Sequence, residues 1–246
     1  MSEIILNGVG VTKKIGDNVI LNSVDIEIYK GDFTVIMGAS GAGKSTLLYA
    51  LSEMDNITSG KVIYREKEIS SIGEKAMAQL RAKELGFIFQ QIHLVSNLYL
   101  FENVAVAGYI SKRAEAEVRT HTAEMFKQMN LTEAANRLPS EVSGGEARRA
   151  AIARAVIGNA GIVFADEPIG ALNRRNTEEV LNLLTDLNSQ GQTILMVTHD
   201  FHAALRGNRI IHLEDGRLCD ELKLGEYSES DERSKKMDKW LQEQRW

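Results

Sequence analysis

Residues 33–46 read FTVIMGASGAGKST. Phe33 to Met37 is an unbroken apolar run, the pattern of a strand buried on both faces in a parallel sheet. It runs into GASGAGKST at 38–46, which matches G-x-x-x-x-G-K-[ST]. Leu47, Leu48, Leu51 and Met54 follow at helical spacing. Strand, glycine loop and helix form the context in which this motif cradles the phosphates of a nucleoside triphosphate. Gly38, Gly41 and Gly43 allow backbone N–H groups to converge without Cβ clashes, and Ala39, Ser40, Ala42 and Thr46 complete the loop. The helix N-terminus adds a favourable dipole. Lys44 supplies a point charge for the β- and γ-phosphates, and the Ser45 hydroxyl suits Mg²⁺.

The rest of the chain fits an α/β protein. It has 246 residues, 43% hydrophobic and 26% charged, which excludes disorder, collagen and a small disulfide scaffold. Lys plus Arg number 29 against 34 Asp plus Glu, a net charge of −5, whereas a protein gripping nucleic acid usually carries the opposite balance, a local basic patch aside. The single Cys219 cannot form an internal disulfide and suits a reducing compartment. The longest uncharged run, Gly86 to Phe101, is broken by Gln90, Gln91, His93, Ser96 and Asn97. A spanning helix needs about 20 mostly apolar residues. With no basic segment before an apolar block at the start, the reading is a cytosolic chain that meets a membrane only through a partner.

Val24, Ile26 and Ile28 alternate with Asp25 and Glu27, as in a half-exposed strand. Lys61 to Tyr64, Gly86 to Phe89, Ile162 to Ala165 and Thr193 to Val197 read as further strands. Arg209 to Leu213 with the Asp215-Gly216 turn reads as a late hairpin. Phe101 to Ala160 carries only helical patterns, among them Val118, Met125, Phe126 and Met129 on one face. The expected organisation is one domain over 1–225 with a helical subdomain at about 91–160. Residues 226–246 are expected to be a charged linker and a short amphipathic helix bearing Met237, Trp240 and Leu241.

Two further motifs carry chemistry. IVFADEP at 162–168 ends an apolar strand in two carboxylates, at the sheet edge where α/β folds hold ligands. Asp166 there suits Mg²⁺, and Glu167 could take a proton from an attacking water. His199 follows another buried strand and could hydrogen-bond a γ-phosphate. SGGE, from Ser143 through Gly144 and Gly145 to Glu146, opens a helix and offers a second anion cradle, although a plain capping box explains it equally well.

Taken in order, GASGAGKST, GFIFQ with Gln90, VSGGEARR, IVFADEP, GALN at 170–173 and VTHD resemble the ATPase subunit of an ABC transporter over about residues 2–220. The resemblance implies a phosphate-loop core with a mostly parallel sheet, an N-terminal antiparallel part and a helical subdomain. It implies ATP and Mg²⁺ as cofactors, with Ser45, Gln90 and Asp166 at the metal and Glu167 as the base. It also implies a second ATPase subunit, whose Ser143 and Gly145 close over the first subunit's ATP, and a membrane permease as partner. No nucleic-acid partner is expected. Within the family the motifs are similar to the group serving macrolide export, lipoprotein release and antimicrobial-peptide resistance. Val142, Ile169 and Asn173 depart from the usual leucine, threonine or serine, and aspartate. Ile15 stands where an aromatic normally stacks on adenine. An ABC ATPase powering a soluble process and a different phosphate-loop enzyme remain the alternatives. The first would carry a coiled-coil insert or a fused second unit, and the second would not require SGGE or His199.

Overall fold

The computed structural model describes residues 3–110, 114–170 and 172–244. The chain opens with strands β1 (Ile4–Ile15), β2 (Asn18–Tyr29) and β3 (Phe33–Met37), then helix α1 (Lys44–Leu51). Next come β4 (Ser59–Tyr64), β5 (Lys67–Glu68), α2 (Glu74–Glu84) and β6 (Leu85–Ile88). Three helices follow: α3 (Leu100–Ile110), α4 (Glu115–Gln128) and α5 (Gly144–Val156). After them come β7 (Ile162–Asp166), α6 (Arg174–Ser189), β8 (Thr193–Val197) and α7 (Phe201–Ala204). The chain closes with β9 (Arg209–Glu214), β10 (Arg217–Lys223) and α8 (Asp231–Glu243). Two compact units result, one from residues 1–73 with 187–246 and one from 74–186.

In the first unit β1 pairs antiparallel with both β2 and β4, in the order β2-β1-β4-β5. Val24, Ile26 and Ile28 point inward along β2, while Asp25 between them is exposed, as the period of two requires. The other strands run β10-β9-β3-β8. There β3 lies parallel to both β8 and β9, and β10 returns antiparallel. Every residue of β3 and β8 is buried. Leu47, Leu48 and Leu51 of α1 are buried too, each contributing about 1.5–3 kcal/mol of hydrophobic stabilisation. Met54, expected on the same helical face, is not part of it. Glu53 takes a positive φ of 51° just past the helix, and Met54 is left 45% exposed.

In the second unit β6 and β7 pair in parallel, and the rings of Phe87 and Phe164 stack at 5.4 Å between centroids. Helix α3 packs on α4 and α5. Val118, Met125, Phe126 and Met129 are all buried, as their spacing predicts. Helix α5 is lined with buried alanines that let its neighbours approach closely: Ala147, Ala150, Ala151, Ala153 and Ala155.

The observed α/β class, with an antiparallel N-terminal part, parallel strand pairing and a helical portion, agrees with the sequence reading. Two elements had no sequence signal. Register shifts interrupt β1 and break its alternation, and α2 buries only Met77, so it has no apolar stripe. Among the described residues no helix is long and apolar enough to cross a membrane.

Candidate nucleotide-binding site

The loop at 38–46 leaves the carboxyl end of the buried β3 and enters α1. Its shape demands glycine at three positions, one of them Gly41 with φ 85°. A Cβ on Gly38 would sit 2.3 Å from the Leu213 carbonyl oxygen. Gly43, the residue that caps α1, has φ 99°, a conformation L side chains rarely adopt. Lys44 is 9% exposed, and its Nζ donates to the carbonyls of Gly38 at 2.6 Å and Ala39 at 2.9 Å. The ammonium is therefore held against the loop rather than in bulk water. Ala39, Ser40 and Gly41 are exposed, Ala42 is buried, and Ser45 and Thr46 are half-buried. The β9–β10 turn braces the loop from behind, because the Gly216 N–H donates to the Ala42 carbonyl at 3.1 Å.

His199 is exposed just past β8. Because β3 and β8 are parallel and in register through Ile36 and Val197, Gly38 and His199 leave the same edge of the sheet. Thr198 is fully buried and its N–H donates to the Ile36 carbonyl at 3.2 Å. Asp200 then caps α7 by accepting the Ala203 N–H at 2.8 Å. Ile15 ends β1 opposite Asn18 and is 59% exposed. The following strand passes the phosphate loop at Ile20, whose carbonyl would lie 3.1 Å from a Cβ on Gly43.

In the second unit Asp166 closes β7 and is 5% exposed. Glu167 follows with φ 42°, a left-handed conformation for a non-glycine residue directly before Pro168. Such strain costs on the order of 1–3 kcal/mol and concentrates at functional sites. Gly170 closes the turn with its N–H to the Glu167 carbonyl at 3.0 Å. The GALN stretch continues through Ala171, which lies outside the described residues. Asn173, standing where aspartate is usual, accepts the Asn176 N–H at 2.9 Å and so caps α6.

Gln90 is exposed just beyond β6. Its backbone is fastened by residues the sequence reading assigned no role. Arg148 of α5, 2% exposed, donates to the carbonyls of both Phe89 and Gln90, the latter at 2.7 Å. Arg154, two turns along, donates to the His93 carbonyl at 2.6 Å and to that of Ile92 at 3.4 Å. The only hint in the sequence was the presence of arginines in an otherwise alanine-rich helix.

Ser143 is exposed at the N-cap of α5. Its Oγ accepts the Glu146 N–H at 3.2 Å and donates to the Glu146 carboxylate at 2.7 Å, while its own N–H donates to that carboxylate at 2.8 Å. The Ser143 hydroxyl, and after it the Ser143 N–H, hold the Glu146 carboxyl below the usual glutamate range. Gly144 is exposed and Gly145 buried; a Cβ on Gly145 would meet the Asn176 side chain at 2.7 Å. Ser143, Arg149, Asn173 and Asn176 line an open cavity of about 830 Å³ in this unit.

The profile of the ABC transporter family matches residues 21–170. The chain belongs to the ABC transporter family. It is similar to the macrolide export ATP-binding/permease protein MacB of Wolinella succinogenes, with 41% identity over 199 residues. That match takes in 81% of this chain but 31% of the relative, so the chain spans about a third of that protein's length. Among solved structures it matches the ATP-binding cassette MJ0796 as a post-hydrolysis dimer bound to ADP and Pi. The TM-score is 0.83 and the identity 35%, covering 91% of this chain and 100% of the other. A second dimeric structure of that bacterial ABC transporter cassette matches with TM-score 0.83 and 36% identity over the same shares. The chain is thus an ABC ATPase cassette.

Proposed function

We propose that this cassette dimerises on ATP and drives a separate membrane permease of the macrolide, lipoprotein or antimicrobial-peptide export and resistance type. The observation that carries the reading is the phosphate loop with Lys44 Nζ drawn into it, at the sheet edge that also bears His199. The permease assignment is supported by the MacB relative and by an apolar exposed set before and along α3: Val95, Tyr99, Val106, Tyr109 and Ile110. Val106, Tyr109 and Ile110 recur at i, i+3 and i+4 on one side of α3, and an exposed apolar patch of that kind marks an interaction surface. The cassette then sits on the inner face of the cell membrane through that partner.

The residues divide the work. Backbone N–H groups from Gly38 through Gly43, with Ala39, Ser40, Gly41 and Ala42 between, receive the phosphates, and Lys44 and Thr46 complete that grip. Mg²⁺ takes few protein ligands beside phosphate oxygens. That suits the donors Ser45, Gln90 and Asp166 in a chain where, among the described residues, no three His, Cys, Asp or Glu cluster. When bound, the ion neutralises phosphate charge. Glu167 accepts a proton as water attacks the γ-phosphorus and the bond to the β-phosphate oxygen breaks. His199 hydrogen-bonds the γ-phosphate. Ser143, Gly144, Gly145 and Glu146 of the second copy close the site, and Ile15 lies against adenine. A pull-down from detergent-solubilised native membranes tests the partner. Recovery of a permease identifies the branch, and recovery of soluble proteins alone would refute the assignment.

A further inference from the structure

Helix α8 follows β10 and carries a buried cation that, among the described residues, pairs with no carboxylate. Ser230 caps the helix, and Met237, Trp240 and Leu241 are buried along one face. Arg233, one turn before Met237 on that face, is 6% exposed. Among the described residues its guanidinium donates only to backbone carbonyls: Nε to Leu205 at 2.7 Å, one terminal nitrogen to Gly207, and the other to Leu224, Gly225 and Glu226 at 3.0 to 3.2 Å. Tyr227 reinforces the clasp, its ring lying 4.5 Å from the Arg206 guanidinium carbon and 5.5 Å from that of Arg233. Trp240 ties the far end of the helix to β10 through Nε1 to the Asp220 carboxylate at 2.7 Å.

What the clasp holds is the segment that leaves His199. Leu205 to Gly207 follow α7 directly. Nothing larger than glycine fits at 207, where a Cβ would lie 2.5 Å from the Val35 side chain. The next residue, Asn208, accepts the Phe33 N–H on its side chain at 3.1 Å and the Leu224 N–H on its carbonyl at 2.8 Å. The stretch from Thr198 to Asn208 is thus fixed to β3 at both ends, and Arg233 reaches it from α8 with a multidentate grip. A lysine could not reproduce this, because a point charge lacks the planar fork.

We propose that Arg233 is a positioning residue for ATP hydrolysis: it fastens the carboxyl end of the His199 segment, so the C-terminal helix is a working part of the ATPase. This rests on the reading of His199 as a γ-phosphate contact. The test uses the full chain with Arg233→Met and Arg233→Lys, each alone and combined with His199→Ala, in steady-state hydrolysis and amide hydrogen exchange. Arg233→Met is expected to lower kcat about tenfold with KM within about twofold, because small misplacements of a reacting group are costly. Arg233→Lys regains part of the loss. In the His199→Ala background Arg233→Met adds nothing further, and exchange quickens at residues 199–207 but not at 38–46. An unchanged kcat, an equal loss in both backgrounds, or unaltered exchange at 199–207 overturns the proposal. Should Arg233→Met fail to fold, Arg233→Lys and Tyr227→Ala carry the same comparisons. A wild-type rate in His199→Ala would instead remove the histidine's role and this proposal with it. Exchange then shows whether the clasp itself still holds, separating the two failures.

Discussion

Replacing Ser143 by arginine separates the two halves of the proposed composite site. Ser143 is exposed, so the new side chain has room in the isolated chain. What is lost is the hydroxyl, with its 3.2 Å acceptance from the Glu146 N–H and its 2.7 Å donation to the Glu146 carboxylate. The bond from the Ser143 N–H to that carboxylate survives. Loss of such a cap costs about 0.5–2 kcal/mol. For a chain of this size, each kcal/mol lowers Tm by about 2–4 °C. The phosphate loop belongs to the other compact unit, and its own bonds through Lys44 and Ala42 are untouched, so ATP binding by the single chain should stay within about twofold of wild type. ATP-induced dimerisation and hydrolysis should vanish, because a long cation would occupy the place of the second copy's γ-phosphate contact. Lys44→Ala should fail earlier, at nucleotide binding, as the phosphates lose their buried counter-charge. Mixed in equal amounts, the two variants can close an ATP site only with each other, and each heterodimer has one intact site of two, so activity should return to roughly half of wild type at most if the sites act independently. Gel filtration with ATP, phosphate release and thermal melts read these outcomes. Failure of both dimer and activity to return in the mixture would sink the cross-chain site. A Tm drop far beyond a few degrees would mean that the variant had simply unfolded.

Glu167→Gln should keep ATP binding, trap an ATP-bound dimer on gel filtration, and cut turnover by about 10²–10⁴-fold, the range for a lost general base; near-normal turnover would remove Glu167 from that role. Ile15→Tyr should tighten ATP binding by about 2- to 12-fold, from the 0.5–1.5 kcal/mol an aromatic contact adds, with little change in maximal rate, as titration calorimetry would show. No gain would place the adenine contact elsewhere. The Glu146 carboxyl is held low in the folded protein, so its contribution is complete above the unfolded value of about 4.3 and is lost as pH falls through the folded pKa. Ser143→Ala removes the first cause of that shift and should flatten the acid limb of stability; melts below pH 5 that superimpose on wild type after a constant offset would contradict this.

The elements legible in the sequence were those whose pattern is set by local chemistry. The apolar runs of β3 and β8 and the glycine loop at 38–46 could be placed to within a residue or two, and the alternation at 24–28 located the second half of β2, because burial and phosphate geometry each demand particular residue types. Lys44, Asp166, Glu167, Ser143 and His199 became candidates through the same local chemistry, and Gln90 only through the family resemblance. Helix α2 and the bulged β1 escaped because neither shows a clean period. Met54 misled because its spacing continued a helix that Glu53 had already ended.

The sequence by itself determined which chemical groups the chain presents, since an ammonium, carboxylate or imidazole is fixed by residue type. Only the tertiary structure decided what holds those groups in place. Arg148 and Arg154 read as two ordinary helical charges until folding brought them to the carbonyls of Phe89, Gln90, Ile92 and His93, about 60 residues earlier in the chain. Arg233 likewise reached Leu205 and Gly207 only once α8 had docked. Backbone carbonyls carry no residue-specific signature, so an arginine that acts by gripping them leaves no motif to read.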